Sequence, residues 1–572
     1  MTLRDTLLRE FCPQNALELE RDLAGLHRSR GGQGYADAAL RVQEFTGTGT
    51  VHHYPCGGPC QGFIVPRAWN LKGGSLRLST GEWLVPDLRM APIGGVFLSG
   101  SSSGVERLRV VDVGSGTRPA DYTQSVEGCA VLATGRPSIV YREAVMARKA
   151  RCVITDFMPA QDAGIGRSPE ELPDAVSYTT FGPEAHGEGF GFSVSYHTFR
   201  RLQELAQGAA TDVDAFFDAD AGTGDLQVLE AHVGTPGAMK PILIQAHLCH
   251  PRPGANDNAS GAALLAELVR VLRTAPPERE IIALWMPEFY GTIAWIADQK
   301  PDLACAIDLD MVGEDQAVTG STLEVTATPW SLPSFIPDLV AVNLLHHDFR
   351  MVRTAFAWGS DHAVFNDASI HVPAVLVNQW PDRYYHSSQD TPDKSSVRSF
   401  AWVGRGILDT LADLCEGIPE ERAAMVATRI REQGLIDGAR SDDPLVRDWV
   451  VRRTRAALTS LQEIADTPAV WAELSATGPA EPLPPFQRKV SILGPVEDAW
   501  MTSEDLQWND RLSGEYPCWS LLKAETVNFL QLGLAREDAL RLAAAEFDAP
   551  SAALEAVGRY LSLLMERGYL QP

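Results

Sequence analysis

The sequence predicts an α/β protein: a doubly wound, mixed sheet interrupted by a smaller β-rich domain and followed by a helical carboxy-terminal region with a winged-helix-like end. Three observations lead there. At 572 residues the chain is too long for one core. Between 206 and 425, short apolar runs (PILIQAH, EIIALWMP, ACAIDLDMVG, VPAVLVNQ) alternate with helical stretches at 259–272 and 291–299, the pattern of a largely parallel sheet covered on both faces. Between 66 and 205 the punctuation by Gly, Ser and Pro is dense, and the segments GGVFLSG, RLRVVDVG and EGCAVLATG read as strands.

The remaining parts follow in order. Residues 1–65 are expected to belong to the same domain as 206–425, with a helix over GYADAALRVQE. Its beginning, MTLRDTLLREFCPQNALELERDL, reads as one polar amphipathic helix without the apolar core of a signal peptide. In the insert, SIVYREAVMARKARCVITDF reads as a helix feeding a strand. Beyond Phe400 the chain turns helical; 426–488 is a helical linker ending in the Pro-rich GPAEPLPPF, and 489–572 holds three helices (AETVNFLQLG, AREDALRLAAAEF, PSAALEAVGRYLSLLMERGYL) that fit a winged-helix unit. That unit carries more acids than bases, so a protein contact fits it better than DNA.

Charge narrows the partners. With 49 Lys and Arg against 74 Asp and Glu, the net charge of −25 repels phosphate backbones and anionic lipid heads. No nucleic acid and no membrane are expected, and the location expected is cytoplasmic. Nine scattered cysteines with no framework spacing fit reduced thiols. Cys56 and Cys60, preceded by His52 and His53, lack a second half-site for a zinc knuckle, and PCGGPC reads as a turn. Whether the chain forms a homo-oligomer is left open.

The chemistry lies at strand ends. His247 ends PILIQAH, Asp257 lies in GANDNASG before a helix, Glu288 ends EIIALWMP, Asp310 ends AIDLD, and His386 follows VPAVLVNQ. Open α/β sheets hold their ligands outside the carboxyl ends of their strands. Asp257 alone would be read as a helix cap. Five such positions at successive strand ends are not explained as caps. Two His and two carboxylates suit Zn²⁺, and a further Glu can take a proton from water.

HLCHPRPGANDNASGAALLAEL, MPEFYG, DLDMVG, GSDHAVF and YYHSSQDTPDK, in that order, resemble the motif series of the co-catalytic zinc aminopeptidases, the leucyl-aminopeptidase-like exopeptidases. Within them the chain is most similar to a branch of bacterial aminopeptidase-like proteins, often linked to polysaccharide or natural-product gene clusters, with an inserted domain and a carboxy-terminal winged helix. VPRAWNLKGGSLRLSTGEW and GFGFSVS resemble the segments flanking that insert.

The resemblance implies a zinc-exopeptidase-like fold and an aminopeptidase that cleaves a peptide or small amide. It assigns His247, Asp257 and Asp310 to one zinc, Asp257 and His386 to a second, and Glu288 to the general base. Two departures stand out. The usual second glutamate is Phe289 here, and the aspartate orienting the first histidine is Cys249. One tightly bound zinc with a weaker second position is therefore expected. His250 and Glu314 are candidate replacement ligands, with supporting or surface roles preferred; His250 and Cys249 are placed behind the ligands, as is Asp361, which with His362 supports the site by hydrogen bonds. Tyr385 is placed to steady an oxyanion. Trp330, Trp358, Trp380, Tyr384 and Tyr385 line a pocket or pack in the core.

Three other readings compete with this one. Glutaminyl cyclases use the same scaffold with one zinc, and a binding protein could retain it without activity. Gly100, Ser102 and Gly104 match the GxSxG elbow of serine hydrolases, but the following VERLRVVDV alternates like a strand where that motif needs a helix.

Overall fold

The computed structural model describes residues 2–571 except 61–62, 66, 160–166, 183–184, 186, 209, 223, 238, 466–486 and 489–500. The Pro-rich GPAEPLPPF lies outside the described residues.

Two sheets dominate the chain. The larger has eight strands in the order 50–55, 225–233, 281–286, 242–247, 305–309, 374–380, 322–326 and 351–354. The four from 281–286 to 374–380 are mutually parallel, and the antiparallel 225–233 and 322–326 flank them. All six residues of Ile242–His247 and of Ile281–Met286 are buried, as strands covered on both faces must be. Alternation divides them between two cores. Ile242, Ile244 and Ala246 face the amino-terminal helices, helix Gly261–Thr274 and helix Val397–Glu416, while Leu243, Leu284 and Met286 face helix Tyr290–Gln299. This is the doubly wound mixed sheet expected, and it puts the carboxyl ends of the parallel strands on one edge.

The second sheet has seven strands in the order 83–85, 68–78, 212–222, 106–112, 130–133, 152–155 and 190–193, with its own apolar core. Its last four strands are parallel and enclose the helix that begins at Pro137, so this part is α/β in character. Strand Asp212–Gly222 pairs with both Ala68–Leu78 and Glu106–Asp112, which carries the second sheet beyond residue 205. GGVFLSG is not a strand: Gly95 and Phe97 make isolated bridges to Phe192 and Thr180 while the segment crosses the sheet edge. After Ser102 comes strand Glu106–Asp112, and the Ser102 hydroxyl donates to the Gly104 and Phe217 carbonyls, an ordinary loop role.

Two helical expectations are corrected. The amino terminus forms two helices, Leu3–Glu10 and Pro13–Ala24, because Pro13 fits a first turn and not a helix interior. Among its described residues the carboxy-terminal unit holds four helices, 503–515, 519–531, 536–546 and 551–566, and a two-residue pair of 487–488 with 570–571. The first of the four, over Ser503–Glu515, was not expected. This unit docks on the large domain through buried carboxyls: Glu546 accepts from Trp330 N at 3.0 Å, and Glu525 accepts from Ser331 N at 2.7 Å. Among the described residues no helix is long and apolar enough to cross a membrane.

Candidate metal centre

At the carboxyl edge of the parallel strands lies a cavity of about 330 Å³, lined by His247, Cys249, His250, Asp257, Glu288, Asp310, Tyr385 and His386, among others. His247 closes strand Ile242–His247, and Asp310 directly follows Cys305–Leu309, its N–H donating to Val377 O at 3.1 Å. Glu288 stands two residues beyond Ile281–Met286, its N–H directed at Cys249 Sγ, 3.3 Å away. The neighbouring Phe289 has φ +58, Met311 beside Asp310 has φ +65, and His386 itself has φ +52. Left-handed backbone in bulky residues is costly and collects where the surroundings enforce a site.

Asp257 is the hub. Its Oδ1 lies 3.2 Å from His247 Nε2, and its Oδ2 lies 3.3 Å from His250 Nε2 and 3.1 Å from His386 Nε2. Asp310 Oδ1 sits 3.2 Å from His247 Nε2. Two groups of potential donors result, His247–Asp257–Asp310 and His250–Asp257–His386, each with its atoms within 4.8 Å of one another. A tetrahedral zinc with bonds of about 2.0–2.1 Å separates its ligand atoms by about 3.3 Å. The spacing therefore fits a metal of that size in each group.

The imidazoles are oriented for this. His247 Nδ1 donates to Cys249 O at 3.1 Å, and His250 Nδ1 donates to Pro251 O at 2.8 Å. A carbonyl only accepts, so both rings carry a proton on Nδ1 and turn Nε2 toward Asp257. His250 Nε2 is buried and faces Asp257 Oδ2, a position that suits a metal ligand. Sequence reading placed His250 behind the ligands; its geometry equals that of His386. Glu314 does not line the cavity: its backbone holds Gln379 and Ser399, and burial and then Asp382 raise its carboxyl well above the usual range.

A ring of carboxyls holds the hub. Asp390 accepts from Asn256 N at 2.7 Å and Asp257 N at 3.1 Å; Asp382 accepts from Asn256 Nδ2 at 3.1 Å. Sequence reading missed both, although Asp390 lies inside the motif YYHSSQDTPDK and Asp382 just before it. Asp361 accepts from Phe289 N at 2.7 Å and Thr292 Oγ1 at 2.6 Å, fixing the turn that carries Glu288. Its neighbour His362 donates its backbone N–H to Asp308.

Electrostatics follow from burial and crowding. Burial pushes Glu288 well above the usual carboxyl range, with Asp361 and Asp310 adding to the rise and His247 opposing it. Burial and then Asp308 raise Asp361 to about 7. Burial alone would raise Asp257 too, but the three imidazoles facing it pull it well below the carboxylate range.

The aromatic wall comes from both sheets. Tyr385 stacks on His386 with ring centres 3.7 Å apart, and burial raises its phenol well above the usual range, leaving a neutral O–H donor. Tyr178, from the second sheet's region, packs edge-on against His250 and His386, and its N–H donates to His386 O at 2.7 Å. Trp358 and Trp380 line the cavity; Trp330 instead packs in the carboxy-terminal core, and Tyr384 N–H caps Asp382.

Residues 228–411 match peptidase family M28. A Clostridium acetobutylicum protein whose name reads "polysaccharide biosynthesis protein with aminopeptidase-like domain" is 25% identical over 224 residues, covering 38% of this chain and 48% of that one. The Escherichia coli K12 protein YfbL is 27% identical over 192 residues, 28% of this chain and 59% of its own. The chain thus spans about half the length of the curated relatives it matches. Among solved structures, a Clostridium acetobutylicum peptidase superposes with a TM-score of 0.54 at 16% identity over 81% of this chain and 95% of that one. BSAP, a zinc aminopeptidase from Bacillus subtilis, gives 0.53 at 16% identity over 70% and 95%. At such identity the likeness is one of fold. The segment from 228 to 411, which contains every strand-end side chain of the site from His247 to His386, is the part of the chain that matches peptidase family M28.

Proposed function

We propose that this protein is a zinc-dependent hydrolase of the aminopeptidase type, acting on a peptide or peptide-like amide. The observation that carries this reading is the pair of donor groups sharing Asp257, with Glu288 lining the same cavity and belonging to neither group. His247, Asp257 and Asp310 would hold one ion, and His250, Asp257 and His386 the other. His250 occupies the role left open by Phe289, so two zinc ions fit where the altered motif suggested one. Zinc, when bound, supplies Lewis acidity toward a carbonyl and an acidified water.

The chain's own groups do the rest. Glu288, whose buried carboxyl holds a proton more readily than an exposed one, takes a proton from water and passes it to the departing amine. Asp361 keeps Glu288 in place by gripping the next peptide N–H. Tyr385, a neutral donor in the cavity, faces the charge that develops on the carbonyl oxygen. Phe97, Tyr178 and Trp358 exclude water around it.

The deciding experiment measures zinc per chain in the purified protein and screens aminoacyl and acyl-amide substrates for amine release. Two zinc ions per chain and hydrolysis that requires a free α-amino group, abolished by a chelator and restored by zinc, are expected. A protein that takes up no zinc would be a binding module, and ring closure of amino-terminal glutamine without hydrolysis would make it a cyclase.

A further inference from the structure

Two arginines enter the cavity from the segment that follows the second helix. Arg28 is fully buried, and its guanidinium is spent on backbone: it donates to the carbonyls of Leu23, Leu248 and Gly254, the last two at 2.8 Å. Arg30, two residues on, lines the same cavity and is different. Its guanidinium makes no hydrogen bond or ion pair with a described residue, while its backbone carbonyl accepts from Trp69 N. Its guanidinium lies 5.6 Å from the ring centre of Phe97 and 5.0 Å from that of Tyr290.

Buried and half-buried arginines elsewhere in the molecule meet anions or carbonyls. Arg279 has Glu463, Leu414 O and Lys240 O; Arg353 has Asp338; Arg453 has Asp437. A guanidinium withdrawn from water without an anion is costly, and ring faces recover only part of that cost. The open side of Arg30 is the cavity itself. Whatever fills the cavity next to Glu288 meets a cation with its planar fork of donors uncommitted, and a carboxylate is the small group that matches such a fork in two parallel hydrogen bonds.

We propose that Arg30 is a specificity-determining residue that receives a carboxylate of the substrate, making the preferred substrate an amide that carries one. This rests on the reading of the site as an amide hydrolase. Two sources share that chemistry: an acidic side chain on the amino-terminal residue, or a free carboxy-terminus on the leaving group.

The test has an activity arm and a binding arm, both on the zinc-loaded full chain. In the first, kcat/KM is compared for Glu- against Gln-p-nitroanilide, and for Leu-Gly against Leu-Gly-amide. One charged member should exceed its neutral partner at least about tenfold, and which pair shows it names the source. Arg30→Gln should erase that preference and leave the neutral substrates within about twofold, while Arg30→Lys retains part of it. In the second arm, glutarate should bind at least about tenfold more tightly than glutaramate to the unaltered protein, and equally to Arg30→Gln. The binding contrast without any hydrolysis would sink the hydrolase reading and keep the carboxylate site. Hydrolysis with no charge preference, or an Arg30→Gln loss shared equally by charged and neutral substrates, would overturn the proposal and leave Arg30 as support for Glu288.

Discussion

Asp390 reaches across 133 residues of sequence to accept the backbone N–H of Asp257 at 3.1 Å, while its other oxygen holds Asn256 N at 2.7 Å. The hub carboxylate of the site is therefore aimed by a second carboxylate that touches none of the donor atoms around it. Removing that grip leaves two buried N–H groups unpaired and the hub free to turn. Asp390→Ala should weaken zinc binding about 10- to 100-fold, the usual effect of losing a partner that orients a ligand. Competition against a calibrated chelator measures this; unchanged affinity would remove Asp390 from the site.

Glu288→Gln keeps size and hydrogen bonding and removes the basic oxygen. Zinc content should stay at the level of the unaltered protein while kcat falls about 10²- to 10⁴-fold. If zinc is lost in step with activity, Glu288 is a ligand and the base lies elsewhere.

The equivalence of His250 and His386 around Asp257 Oδ2 predicts that His250→Ala and His386→Ala each release one of two zinc ions and leave the other. Asp257→Asn should cost most of both. Metal analysis of the three variants after dialysis reads the outcome, and a His250→Ala protein with full zinc would return His250 to a supporting role.

The carboxy-terminal unit should loosen as pH rises. Burial raises Glu546 well above its ordinary value of 4.5, with Glu525 adding to the rise, and burial raises Glu525 as well. A carboxyl whose folded pKa is raised contributes its full stability below its unfolded value and loses it as pH climbs to the folded one. The loss is up to about 1.4 kcal/mol per pH unit for one proton. Glu546→Gln retains an acceptor for Trp330 N without a charge to bury. The Tm of the variant should rise relative to the unaltered protein as pH increases above 4.5. A difference that stays flat with pH contradicts this.

His247, Glu288 and Asp310 were legible because each ends an apolar run, and an ionisable residue there has one edge of a parallel sheet to face. The doubly wound sheet was legible for the same reason, since strands buried on both faces leave no alternation. What the linear chain cannot express is contact between distant segments. Whether His250 backs the site or faces Asp257 depends on the bridge from Arg28 that holds its turn. The grip of Asp390, the pairing of Asp212–Gly222 with the second sheet and the burial of Glu546 against Trp330 likewise join residues far apart. Local period and residue type thus set the strands and the chemistry available at their ends. Long-range hydrogen bonds and burial, created only on folding, decided which carboxylates and imidazoles share one cavity and in what roles.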